Sequence, residues 1–193
     1  MQFKWLNESK IEKKGDRWEI YAPPHTDFFC NASGEEGEAA GTLCNAPVYY
    51  TEIEGDFVLK VKVSHDCAST YDAAALLVYK DETNWAKLCF EKTDIGPNAV
   101  VSVVTRGQSD DANGCNIADK SVWLQICRVG DAFAFHFSED GAHFYMTRFF
   151  HFPAGKVAKV GLVAQSPTGS GGMRTFEHLT IEHKTVENIR AGI

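Results

Sequence analysis

The sequence has no apolar run near the roughly 18 residues that a membrane-spanning helix needs, and no stretch that keeps a 3.6-residue apolar period. Each absence removes a class: a membrane-spanning helix in the first case, a helical bundle in the second. There is no C-x-x-C spacing among Cys30, Cys44, Cys67, Cys89, Cys115 and Cys127, so zinc-ribbon and thioredoxin-type chemistry have no anchor. No G-x-S-x-G, P-loop or dinucleotide fingerprint occurs, and Gly169-Ser170-Gly171-Gly172 does not lie between a strand and a helix. Basic charge is also scarce, with 19 Lys and Arg against 26 Asp and Glu and a formal net charge of -7. Nucleic acid is therefore not expected as a partner, because phosphate neutralisation needs clustered cations. Met1-Gln2-Phe3-Lys4-Trp5-Leu6-Asn7-Glu8 contains no apolar core of a signal peptide. The six cysteines accordingly read as free thiols of a cytoplasmic protein.

What is present is β pattern. The length, 193 residues, and a 44% hydrophobic fraction suit one domain, 1–193, with one sizeable core. Short alternating or β-branched runs recur, as in Phe57-Val58-Leu59-Lys60-Val61-Lys62-Val63 and Ala99-Val100-Val101-Ser102-Val103-Val104-Thr105. Between them lie turn signals such as Pro23-Pro24, Gly130-Asp131 and Asp140-Gly141. About a dozen strands without helix mean a sandwich or a barrel, and a two-sheet jelly roll is preferred. Two stretches read as loops: Ala32 to Ala46, with Glu35, Glu36 and Glu38, and Gly107 to Asn116.

The stretch Tyr71 to Glu91 stands out. With Asp81 to Asn84 as the loop, Lys80 pairs with Trp85, Val78 with Lys87 and Ala74 with Glu91. One face then carries Asp72, Ala74, Leu76, Val78, Lys80, Trp85, Lys87, Cys89 and Glu91, a mixture typical of a binding surface. Trp85 reads as an exposed platform for a sugar ring. Lys87 and Glu91, about 13 Å apart on one strand face, would hold the two ends of a polar ligand. Asp72 and Glu91 would be diagonal neighbours, within the range of about 5–9 Å that a glycosidase uses. The bland alternatives are a solvated strand face and an ordinary ion pair. His136, His143 and His151 are the closest histidine set, and structural roles are favoured over zinc.

The residues Phe3-Lys4-Trp5-Leu6-Asn7-Glu8, Thr26-Asp27-Phe28, Tyr71-Asp72, Trp85-Ala86-Lys87, Phe90-Glu91, Val122-Trp123-Leu124, Arg148 and Ala164-Gln165-Ser166-Pro167 follow an order spanning nearly the whole chain. In this the chain resembles the domain-of-unknown-function family 1349, relatives of fungal regulation-of-enolase proteins. The resemblance implies a concanavalin A-like two-sheet jelly-roll sandwich and no established reaction. It also implies a glutamine and a glycine where this chain has Ala73 and Ala75, and a tryptophan where it has Asp111. The Glu-x-Asp-x-x-Glu strand of glycanases with this fold is missing.

The expectation is then a small polar ligand, sugar-like or otherwise polyhydroxylated, on a concave sheet face formed by Tyr71, Asp72, Trp85, Lys87, Glu91, Arg148, Gln165 and Ser166. No cofactor and no metal are expected. A carbohydrate-active enzyme using Glu91 or Asp72 is the alternative, and a protein partner remains open.

Overall fold

Two seven-stranded antiparallel sheets pack face to face, and among the described residues there is no helix. The computed structural model describes residues 2–31 and 41–193. The first sheet runs β1 (Lys4–Leu6), β6 (Val48–Glu54), β15 (Val157–Gln165), β8 (Ala73–Asp81), β9 (Asn84–Lys92), β10 (Asn98–Arg106) and β11 (Gln108–Ile117). The second runs β14 (Tyr145–His151), β13 (Ala132–Ser138), β12 (Ser121–Val129), β7 (Phe57–Ser64), β16 (Gly172–Glu182), β3 (Arg17–Ala22) and β2 (Ile11–Lys14). A separate ribbon pairs β4 (Phe28–Asn31) with β5 (Gly41–Cys44). This is the two-sheet jelly-roll sandwich that the strand pattern predicts.

Alternation explains how each strand is seated. In β7, Phe57, Leu59, Val61 and Val63 enter the sandwich interior, where Leu124 and Ile126 of β12 and Phe133 and Phe135 of β13 meet them. In β8, β9 and β10, Ala74, Leu76, Val78, Leu88, Phe90 and Val100 fill the same interior from the other sheet. Burial of a side chain of this size stabilises by about 1.5–3 kcal/mol, so this layer dominates the fold. The opposite face of the first sheet is buried as well. Ala73, Ala75, Leu77, Trp85, Cys89, Val101 and Val103 pack with Phe28 and Cys30 of the ribbon. A sheet covered on both faces reads as a near-continuous apolar run, and β8 and β10 do.

Two expectations change. Residues 108–117 are strand β11, paired along β10, and not a loop. This polar edge strand lacks an apolar face because most of it is exposed, which is how edge strands avoid unwanted pairing. Within Ala32 to Ala46, residues 41–44 are strand β5; residues 32–40, with their three glutamates, lie outside the described residues.

The β8–β9 register also differs by one residue. Tyr79, not Lys80, faces Trp85; Leu77 faces Lys87 and Ala73 faces Glu91. The cause is Asp81, whose Oδ1 accepts bonds from the Thr83 amide (3.0 Å), the Thr83 hydroxyl (3.0 Å) and Asn84 Nδ2 (2.9 Å). That side-chain capture closes a two-residue turn at Glu82-Thr83 and leaves Lys80 unpaired at an irregularity. A one-residue slip exchanges the faces of one strand relative to the other. Lys87 and Glu91 therefore share their face with Ala73, Ala75, Leu77 and Tyr79, and Asp72 goes with the sandwich side.

Candidate functional site

The outer face of the first sheet is a ladder of rows across neighbouring strands. Gln165, Ala73, Glu91 and Ala99 form one row; Val163, Ala75, Cys89 and Val101 the next; Gly161, Leu77, Lys87, Val103 and Asp111 the third. Small residues in the middle rows leave space between polar ones. The result is a cavity of about 170 Å³ lined by Asp27, Phe29, Tyr71, Lys87, Glu91, Val101, Val103, Asp111, Gln165 and Pro167. The β4–β5 ribbon forms one wall and is held there by Ser109 Oγ, which accepts the Cys30 amide at 2.9 Å. Phe28 meets Trp85 edge-on at 5.6 Å.

Lys87 is 2% exposed, and its ammonium is fully used. Nζ donates to Gln165 Oε1 at 2.8 Å, to the Phe28 carbonyl at 2.9 Å and to Asp27 Oδ1 at 3.1 Å. Burial alone would lower its pKa, but the carboxylates, Asp27 foremost, outweigh burial and the net shift is upward. With Oε1 assigned to Lys87, Gln165 Nε2 donates to the Tyr71 carbonyl at 3.1 Å, so the amide orientation is set. Tyr71 holds a left-handed backbone, φ 67°, which brings the chain into β8 beside Gln165.

Glu91 is 8% exposed and accepts no hydrogen bond from any described residue. Burial pushes its carboxyl up to about 8; Lys87 opposes this, and Asp27, Asp111 and Asp94 add to it. A carboxyl with a folded pKa above its unfolded value contributes stability that is complete below about pH 4.5 and is lost as pH rises through about 8. Stability should fall between those values with a slope approaching about 1.4 kcal/mol per pH unit from this group. Glu91→Gln should flatten that slope and be more stable than the parent at pH 9. Urea unfolding at several pH values checks both; a parent curve that stays flat or rises across this window contradicts the raised pKa.

Behind Gln165 lies a second polar knot. Arg174 of β16 is fully buried and reaches from the second sheet to the first. Nη2 contacts Asp72 Oδ1 at 3.1 Å, Nε and Nη2 donate to the Gln165 carbonyl at 3.2 and 3.1 Å, and Nη1 reaches Asp66 at 3.3 Å. Ser166 Oγ donates to Asp72 Oδ1 at 2.7 Å, and the Ser69 amide donates to Asp72 Oδ2 at 3.2 Å. Gln165 therefore joins the two networks, its side chain to Lys87 and its carbonyl to Arg174.

Of the residues expected to form the site, Tyr71, Lys87, Glu91 and Gln165 line the cavity. Asp72 and Ser166 do not; they lie behind it in the Arg174 knot, so Asp72 and Glu91 are not a carboxylate pair across a substrate. Trp85 is completely buried beneath Phe28, its Nε1 donating to the Glu82 carbonyl at 3.3 Å, and is no stacking platform. Arg148 sits on β14 and pairs with Asp110 at 3.2 Å and with its carbonyl at 3.0 Å, away from the cavity. Asp27, Phe29, Val101, Val103, Asp111 and Pro167 were not anticipated. The three positions where the chain departs from its resembled pattern, Ala73, Ala75 and Asp111, all fall on this face.

Other candidate groups separate. His136 is buried and bonded to the Arg190 carbonyl (3.1 Å), His143 pairs with Asp140 (2.7 Å), and His151 is exposed at a strand end. Among the described residues no group of three or more His, Cys, Asp or Glu side chains could hold a metal ion. Cys67 Sγ lies 3.8 Å from His65 Nε2, but His65 Nδ1 accepts the Cys67 amide at 3.0 Å. The ring proton is therefore on Nε2, and the imidazole cannot take the thiol proton. Burial moreover lowers the His65 pKa to about 3.

A family model described as "Protein of unknown function (DUF1349)" matches residues 5–184. The chain belongs to this family. This DUF1349 protein is 26% identical over 185 residues to "Regulation of enolase protein 1" of Saccharomyces cerevisiae, covering 92% of the chain and 87% of the relative. A solved structure of a functionally unknown S. cerevisiae protein superposes on the DUF1349 chain with TM-score 0.86 at 23% identity, over 96% of this chain and 98% of that one. The carbohydrate binding module CBM66 from Bacillus subtilis superposes with TM-score 0.58 at 13% identity, covering 92% and 94%. These likenesses show the fold. Among the described residues no helix is long and apolar enough to cross a membrane.

Proposed function

We propose that the protein binds a small polyhydroxylated ligand, sugar-like in character, in the cavity between the β4–β5 ribbon and strands β8 to β11. The observation that carries this reading is the composition of the cavity. Its floor holds Lys87 and Gln165, already bonded to each other, beside the open carboxyl of Glu91, with small apolar side chains between them and Phe29 and Tyr71 at the side. Open carboxyl acceptors beside apolar surface suit a sugar, whose ring presents hydroxyls at its edge and C–H groups on its faces. The fold is shared with a carbohydrate binding module, which supports the reading by analogy only.

Thermal-shift screening against a panel of monosaccharides and polyols tests it. A ligand should raise the midpoint of the parent, and Val103→Phe, which puts a ring into the cavity, should remove the shift while remaining folded. Absence of any shift across the panel, or a shift unchanged in Val103→Phe, would overturn it.

One observation favours a second reading, that of a protein-interaction module: the yeast relative is named for regulation of enolase. Recovery of a glycolytic enzyme by the purified protein, undiminished in Val103→Phe, would favour that reading over the first.

A further inference from the structure

We propose that the cavity takes a ligand bearing a protonated amine, an amino sugar or amino polyol, and rejects phosphorylated ones. This names the ligand class of the site proposed above and rests on that reading.

Among the described residues the cavity is lined by three carboxyl side chains, Asp27, Glu91 and Asp111, and by a single cation, Lys87. An ammonium has three N–H donors, and all three of Lys87 are spent on Asp27, the Phe28 carbonyl and Gln165. Nothing of Lys87 is left to meet an incoming anion. Asp27 is neutralised by that contact and also accepts the Phe28 amide at 2.7 Å. Glu91 and Asp111 form no ion pair with any described residue.

Glu91 carries the argument further than a set of acidic residues could. It is more than nine-tenths buried, it lines the cavity, and its carboxyl accepts no hydrogen bond from any described residue. Its carboxyl oxygens are not among the atoms sealed away without a partner, so they stay open to what enters the cavity. A donor supplied by the ligand meets an acceptor that no described protein group holds, and a cationic donor meets it most strongly. The aromatic side chains of Phe29 and Tyr71 add surface to which a cation is attracted. A phosphate in the same place would face the Asp111 and Asp27 carboxylates with no free cation among the described residues to offset them.

Burial keeps Glu91 protonated up to about pH 8, and an ammonium beside it favours the ionised form. Binding at pH 7 should therefore release a proton from Glu91. An alkylammonium keeps its charge there, with a pKa of about 10 as in lysine.

Calorimetry with matched ligands tests the proposal: the methyl glycosides of glucose, galactose and mannose, their 6-amino-6-deoxy counterparts, and the hexose 6-phosphates. In at least one series the amine should bind ten-fold or more tightly than the neutral glycoside, and the phosphate should not bind. The heat for the amine at pH 7 should vary with the ionisation enthalpy of the buffer in the sense of proton release. Glu91→Gln should bring amine and neutral glycoside to parity and abolish the proton release. Asp111→Asn, at an exposed edge position, should reduce the amine preference several-fold with the fold intact. Equal affinity of amine and neutral glycoside overturns this proposal and leaves the ligand site standing. A phosphate binding tightest overturns it too. If no member of any series binds, both readings fall together.

Discussion

Arg174→Met lowers the free energy of unfolding by about 3–5 kcal/mol. Arg174 is fully buried, and its guanidinium is the counter-ion of Asp72, itself 1% exposed. Removing it leaves a carboxylate surrounded by protein with only Ser166 and the Ser69 amide as donors, and the Gln165 carbonyl loses two bonds. Breaking one side of a buried pair costs more than the pair contributes, because the remaining charge stays desolvated. For a chain of this length each kcal/mol moves the thermal midpoint by about 2–4 °C, so a fall of roughly 6–20 °C is expected. Thermal and urea unfolding of Arg174→Met, Asp72→Leu and the double variant measure it. The double variant should recover part of the loss, since neither charge is then left alone. A loss below about 1 kcal/mol for Arg174→Met contradicts this account of the knot.

Lys87→Met is expected to cost about 2–4 kcal/mol and to change the cavity electrically as well as sterically. Its three acceptors, Asp27, the Phe28 carbonyl and Gln165 Oε1, all lose the ammonium, and Asp27 keeps only the Phe28 amide. The cost should be smaller than at Arg174 because the Asp27 side chain keeps 16% exposure and can recover some hydration. Lys87 is the group that opposes the upward shift of Glu91, so the Glu91 titration should move to still higher pH in the variant. Carboxyl carbon NMR of glutamate-labelled protein, parent against variant, follows this directly. No movement of the Glu91 resonance would mean that Lys87 and Glu91 do not share one site.

The two effects are connected through Gln165, whose side chain belongs to the cavity and whose carbonyl belongs to the knot. The cavity floor is therefore braced from the second sheet, by Arg174, and from the ribbon, by Asp27 and Phe28. Groups held in this way are pre-organised, so a ligand meets a fixed array and spends little on ordering it.

Much of the fold was legible because strands announce themselves by period. In β7 and β9 the alternation, and in β10 the β-branched run, were enough. β11 was not visible: Gln108 to Asn116 is mostly polar with no apolar alternation, and an exposed edge strand is recognised by its partner β10 and not by its own residues. The β8–β9 register was missed for a local reason. Asp81 folds its side chain over Thr83 and Asn84, which shortens the turn by pairing Asp81 with Asn84 and leaves Lys80 out of the ladder. A rule that assigns faces by counting back from a presumed loop cannot see that capture.

The site was legible in part for the same reasons. Lys87 and Glu91 lie on one strand, so their shared face survives the change of register. Asp72 does not, because it directly precedes β8, the strand whose faces exchanged relative to β9. Trp85 suggested an exposed platform, and only the ribbon, which is remote in sequence, shows that Phe28 covers it. Asp27 lay in a stretch already singled out by its resemblance, Thr26-Asp27-Phe28, and a buried lysine needs a carboxylate somewhere. That need was the available clue. Asp111 could not be placed without β11.

The central claim is that the cavity on the outer face of the first sheet is the binding site. Methyl NMR of valine-labelled protein, titrated with the panel ligand that stabilises the protein most, addresses it directly. Val101 and Val103 line the cavity, whereas Val58 and Val186 pack together in a separate cluster on the second sheet. The predicted result is a saturable shift of the Val101 and Val103 methyls with Val58 and Val186 unmoved. Saturable shifts at Val58 and Val186 with Val101 and Val103 unmoved would contradict it.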